Sequence, residues 1–446
     1  MASPLLRSAR CREHLLIPNL HRISVHLTHH QQTLPLPRPN ISIKKNHPLI
    51  RSFHQSSQKM SSPNAIPHPL LMIPGPIEFT DEVLQANAHP SMSHVGAPFI
   101  NVFGESLEML RKVFLTSDPA SQPLVLSGSG TLGWDIVAAN LIEPGEEALV
   151  LHTGYFADGF AECIETYGGK ATQLQAPIGG RPTLEQIEKA LKEKKFKVIT
   201  ITHVDTSTGV LSDPRTVCEL VQRVSPETLV VVDGVCSVGA EDLEFDKWGV
   251  DVALTASQKA IGVPPGLSIV MLGKRAVQAF ENRKAKPASF FASLKKWIPI
   301  MKAYESRKPA YFATPAVQLI YALNASLKQI LQTSMQERFA KHKAASKKVK
   351  DFVKAMGLEQ VPNKPEESAN TMTAVKLPDG IAPTDLLPKL AARDIVFAGG
   401  LLPQVKYFRV GHMGVTATDE QRGDLTKALE GLKAALAECG YEGAKH

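Results

Sequence analysis

Short apolar runs alternate along the chain with stretches in which apolar residues return every three or four positions. The runs are Leu124-Val125-Leu126, Ala148-Leu149-Val150-Leu151, Ala171-Thr172-Gln173-Leu174, Val198-Ile199-Thr200-Ile201-Thr202, Leu229-Val230-Val231-Val232, Val252-Ala253-Leu254 and Leu267-Ser268-Ile269-Val270-Met271. Most lack a polar face, which suits strands covered by helices on both sides. Helix-like periodicity fills the gaps: over roughly 131–141, in a stretch ending near Tyr167, and from Thr183, where Gln186 completes a capping box. Strand and helix alternate at the spacing of βαβ units. The pattern predicts an α/β large domain on a mostly parallel sheet.

Past about residue 330 the character changes. A charge-rich helix is expected over Gln336–Ala355, then short strands at Thr371–Val375 and Tyr407–Val410. A final amphipathic helix is expected to open at Thr418, with Gln421 completing its capping box. This reads as a smaller C-terminal α+β domain. The chain accordingly divides into a leader (1–60), an N-terminal arm with the large domain (61–330) and a small domain (331–446).

Composition narrows the function classes. The chain has 446 residues, 43% hydrophobic and 21% charged, and so is long enough for a large buried core. It holds no run of about 18 apolar residues, so no segment is expected to span a bilayer. Five cysteines show no C-x-x-C spacing and read as buried thiols in a reducing compartment. The net charge of +7 looks suited to nucleic acid, but residues 1–60 carry nine of the 50 Lys and Arg against one acid, Glu13. Without them the body has 41 basic and 42 acidic residues, so no nucleic-acid partner is indicated.

The leader itself is rich in Arg, Ser, His and Leu and nearly free of acids, the composition of a mitochondrial transit peptide. Arg51-Ser52-Phe53-His54-Gln55-Ser56 resembles a matrix-processing pattern, and the matrix is the expected location. Met60 offers a second start that would leave the product in the cytosol or a peroxisome, although Ala444-Lys445-His446 does not spell the Ser-Lys-Leu address.

Four features suit a phosphorylated pyridine ring. Ser127-Gly128-Ser129-Gly130-Thr131 lies between a strand and a helix, where hydroxyls, close backbone and the helix dipole favour an anion. Asp233 follows Leu229–Val232 at the carboxyl end of a buried strand, the edge where α/β folds place ligands. An acid there pairs with a ring nitrogen; an isolated one more often caps a helix. Ser257-Gln258-Lys259 follows the next strand, its lysine flanked by Ala256, Ala260, Ile261 and Gly262 rather than by charges. A dry pocket would keep that amine deprotonated for attack on a carbonyl. Arg409, between apolar residues of the Tyr407–Val410 strand, needs an anion, either a structural carboxylate or that of a substrate.

Ser-Gly-Ser-Gly, Val-Asp-Gly-Val, Ser-Gln-Lys and Pro-Pro-Gly in this order resemble the class V aminotransferases of fold type I, the alanine–glyoxylate, serine–pyruvate and serine–glyoxylate members above all. The resemblance runs from about Leu70 to Cys439 and takes in Pro74-Gly75-Pro76, Gly209-Val210-Leu211, Tyr311 and Thr314. It implies pyridoxal 5′-phosphate as cofactor, joined to Lys259 as a Schiff base, with Lys259 also moving the substrate proton. It implies that Asp233 pairs with the ring nitrogen, that Val235 packs on the ring, and that Ser129, Gly130, Thr131 and Gln258 receive the phosphate. Tyr311 and Thr314 would reach the cofactor of a neighbouring subunit, making a homodimer. Arg409 would clamp the carboxylate of a small amino or oxo acid, and Gly75 would line a small pocket.

Departures are Phe156 where many relatives stack a tryptophan, Thr206 in place of a serine, and Thr131 where the animal enzyme has histidine. The implied reaction is ping-pong transamination through a pyridoxamine form, alanine and glyoxylate giving pyruvate and glycine, with serine as the alternative donor. A cysteine desulfurase would need a cysteine on a mobile loop, whereas Cys163, Cys218 and Cys236 fall in or beside apolar patterns. A nucleotide-binding protein would need a G-x-G-x-x-G or Walker loop, and neither occurs at Ser127–Thr131. An inactive interaction protein on the same fold fits poorly with Lys259, Asp233 and Arg409 being present together.

Overall fold

The apolar runs form one seven-stranded sheet in the computed structural model, which describes residues 68–445; the leader expectation lies outside them. The strands are β2 (Gln122–Ser127), β3 (Glu147–His152), β4 (Lys170–Gln175), β5 (Val198–Thr202), β6 (Leu229–Asp233), β7 (Val252–Ala256) and β8 (Leu267–Leu272), in the order β2-β8-β7-β6-β5-β3-β4. From β7 to β4 neighbours run parallel. β8 alone runs against both its neighbours, so the mostly parallel sheet has one reversed strand.

Every residue of β5, β6, β7 and β8 is buried, because helices cover both faces. The helix Gly130–Leu141 packs on the sheet through Gly133, Ile136 and Val137, and Leu184–Glu193 opens with the expected box: Thr183 Oγ1 accepts the Gln186 N–H while Gln186 Oε1 accepts that of Thr183. Helices at Ala97–Val113, Leu294–Glu305 and Val317–Ile330, which the periodicity did not single out, join the same core. Each large apolar side chain buried there contributes roughly 1.5–3 kcal/mol.

The C-terminal part has its own apolar cluster and a three-stranded antiparallel sheet, β11 (Ala398–Gly399), β12 (Tyr407–Gly411) and β9 (Met372–Lys376). The long helix there spans Met335–Ala355, capped by Ser334 and Glu337. β1 (Leu70–Leu71), at the start of the described chain, pairs in parallel with β10 (Ile395–Val396). The final helix corrects the sequence reading. Thr418 ends a short helix, Val415–Thr418, with its hydroxyl turned back to the Gly414 carbonyl. The Gln421 N–H goes to Asp419, Gly423 turns the chain at φ 69°, and the last helix runs Asp424–Glu438.

Candidate active site

Parallel strands bring their carboxyl ends to one edge, and that edge carries the chemistry. Asp233 is the last residue of β6, in register with Thr202 of β5 and Leu254 of β7. Lys259 sits in the turn that reverses the chain from β7 toward β8. Ser257 ties that turn shut: its hydroxyl donates to Pro264 and accepts the Leu267 N–H. From behind, the buried Arg338 donates to the carbonyls of Ala260 and Gly239. β2 leads through Ser127–Ser129 into the helix that starts at Gly130, whose N-terminus has no side-chain cap. Between these pieces lies a cavity of about 190 Å³.

Lys259 and Asp233 both line this cavity, 8% and 3% exposed. Burial holds the lysine's pKa below its usual value, with Arg409 adding to the effect and Cys236 and Asp233 opposing it. Its Nζ donates to the carbonyl of Pro74, in the N-terminal arm. A Cβ on Gly75, at φ 118°, would come within 2.5 Å of Lys259 Cδ and 2.6 Å of Nζ. Burial pushes Asp233 up to about 6 despite two donors, the Val235 N–H at 3.0 Å on Oδ1 and the Trp134 indole at 2.8 Å on Oδ2. Asp205, also buried and raised, accepts from the Ser207 backbone and hydroxyl and from Thr153.

Of the residues read from the sequence, Ser129, Gly130, Thr131, Phe156, Thr206, Val235 and Gln258 line the same cavity. The Ser129 and Thr131 hydroxyls lie 2.6 Å apart at the open helix N-terminus. Gln258 Oε1 is buried without a hydrogen-bond partner, an acceptor left for a donor in the cavity. Arg409 donates to the Thr206 carbonyl at 2.9 Å and to Gly399 at 2.8 Å, and among the described residues no carboxylate is within ion-pair distance of it. Its buried charge awaits an anion. Tyr311 and Thr314 are exposed and stand outside this cavity.

A phosphorylated pyridine therefore fits: an acid for its nitrogen, an amine for its aldehyde, and an uncapped helix end with hydroxyls for its phosphate. Sequence reading missed Trp134, Thr202, Val204 and Asp205. Trp134 carried one signal: it lies four residues after Gly130, one turn along the same helix face.

The family model described as Aminotransferase class-V matches residues 78–410. Alanine–glyoxylate aminotransferase 1 of Saccharomyces cerevisiae is 42% identical over 377 residues, 82% of this chain and 97% of that protein. L-aspartate–glyoxylate aminotransferase of Paracoccus denitrificans is 33% identical over 82% of this chain and 89% of its own. Among solved structures, an alanine–glyoxylate aminotransferase from Nostoc sp. superposes with a TM-score of 0.77 at 28% identity, covering 89% of this chain and all of that one.

Proposed function

The chain belongs to the class-V aminotransferases, enzymes that work with pyridoxal 5′-phosphate, and on that premise we propose that it moves the amino group of alanine onto glyoxylate, giving pyruvate and glycine in two ping-pong half-reactions. The observation that carries this reading is the burial of the Lys259 amine and the Asp233 carboxylate in one small cavity, with Arg409 fastened to Thr206 of its wall. When bound, the cofactor supplies an aldehyde that takes up amines and a ring that accepts the electron pair left when Cα–H breaks.

The protein's own groups supply the rest. Asp233 holds the proton on the ring nitrogen. Val235, Phe156 and Thr206 line the cavity that would hold the ring, the first two offering apolar surface and the third a hydroxyl. The N–H groups of the helix starting at Gly130, the hydroxyls of Ser129 and Thr131, and the Gln258 Nε2–H would donate to the phosphate. Lys259, buried and with its pKa held below the usual value, takes the substrate's Cα proton on Nζ and returns it. Arg409 orients the substrate carboxylate bidentately. Pro74 and Gly75 lie directly against the Lys259 amine, a close wall that favours small partners such as alanine and glyoxylate. Exposed Tyr311 and Thr314 suit a homodimer in which each subunit reaches the other's phosphate. The basic leader suits delivery to the mitochondrial matrix, with Met60 as the start of an untargeted form.

A spectral titration tests this. Wild type with pyridoxal phosphate should show a visible absorbance band that alanine bleaches and glyoxylate restores, and Lys259→Ala should show none. A band that persists in Lys259→Ala would refute the assignment of the amine. Faster bleaching by serine or aspartate than by alanine would overturn the choice of donor.

A further inference from the structure

Asp233 is held by more than its place at the end of β6. Its Oδ2 accepts the Trp134 indole N–H and its Oδ1 the Val235 N–H, so its plane is fixed by a donor on each oxygen. The indole is itself immobilised. It stacks on Phe160 with centroids 5.4 Å apart at 14° and meets the edge of Phe156 at 6.5 Å. Gly159 makes room for it, since a Cβ there would stand 3.0 Å from the indole Cζ3.

We propose that Trp134 is a positioning residue for transamination: its indole N–H fixes the orientation of the Asp233 carboxylate and keeps it ionised to meet the ring nitrogen. The inference rests on the pyridoxal phosphate reading. An indole N–H donates and never accepts, so it favours the ionised oxygen over the protonated acid. It is also neutral. Lysine or arginine in its place would cancel the negative charge that the ring nitrogen requires.

The surroundings explain why a donor is needed. Burial, joined by the charge of Asp205, raises the acid to about 6 against the Val235 and Trp134 donors and the attraction of Lys259. Among the described residues, no cation lies within ion-pair distance of Asp233. Near neutral pH each neutral donor therefore weighs on the fraction ionised.

Trp134→Phe keeps an aromatic ring and removes the N–H. We expect it to bind pyridoxal phosphate about tenfold more weakly or worse, as the loss of a hydrogen bond to a charged group implies. The pH at which its visible spectrum changes should move upward. A second measurement uses wild-type apoprotein with ¹⁵N-labelled tryptophan, its three indole N–H signals assigned with Trp248→Phe and Trp297→Phe. The Trp134 signal should shift with a midpoint near the Asp233 value of about 6 and stop shifting in Asp233→Asn. Cofactor affinity of Trp134→Phe within about twofold of wild type, too little for a charge-assisted bond, would overturn the proposal. So would a Trp134 signal indifferent to pH. Wild type that bound no cofactor would instead sink the reading on which the proposal rests.

Discussion

At the scale of single residues, the tightest demand falls on Gly75. Its φ of 118° is one that L side chains rarely adopt, and a methyl group there would occupy the space of the Lys259 amine. Gly75→Ala should fold with a loss of about 1–3 kcal/mol from backbone strain. Its transamination rate should fall on the order of a hundredfold, because misplacing a reacting group by an ångström has that effect. Thermal melting beside steady-state rates checks both; unchanged rates would show that Nζ needs no such wall. At this scale the site was legible where type and place in the chain coincide. Asp233 and Lys259 stand out because each follows an apolar strand that fixes its depth. Asp205 was not legible, and Trp134 only through its spacing from Gly130, because their importance arises from what they touch across the fold: Trp134 reaches Asp233 over 99 positions.

At the scale of elements, the helix Gly130–Leu141 must lie close on the sheet to aim its first turn into the cavity. A Cβ on Gly133 would come within 3.1 Å of Leu254 Cβ. Gly133→Val should therefore lose about 1–3 kcal/mol to overpacking, and tilting the helix should weaken cofactor binding as well. Urea unfolding and a spectral titration read the two effects, and a variant that lost stability with affinity intact would show that the helix N-terminus does not hold the phosphate. The strands of the large sheet could be read from the sequence because burial on both faces leaves an unbroken apolar run. The direction of β8 could not, since such a run reads alike both ways. The end of the chain misled for a related reason. Thr418 and Gln421 fit a capping box by spacing, yet Asp419 competes for the same N–H and Gly423 breaks the helical path.

At the scale of the molecule, three histidines among the described residues are buried and neutral. Burial depresses His203 to about 4 and His342 and His412 to about 3. The unfolded chain protonates near the ordinary value of 6.5, so the stability they contribute is complete above that pH and is lost as pH falls toward 3. Asp233 and Asp251, both raised to about 6, act in the opposite sense over part of that range. The contribution of one histidine is isolated by His342→Gln, whose amide oxygen can still accept the Gly414 N–H. Below pH 6.5, the variant's unfolding free energy should fall less steeply than wild type's, by up to about 1.4 kcal/mol per pH unit, one proton's worth. Parallel slopes from urea titrations would show that His342 protonates equally in both states.

The arm that covers Lys259 also has a bearing on biosynthesis. Leu70 and Leu71 lie beside Ile395 and Val396, and the Gly411 N–H donates to the Met72 carbonyl, so Pro74 and Gly75 gain their anchorage from the far end of the chain. On the ribosome the reactive amine emerges long before the partners that pin its lid. A chain broken before Ile395 would therefore carry Lys259 without the contacts that fasten this arm at Leu70 to Met72.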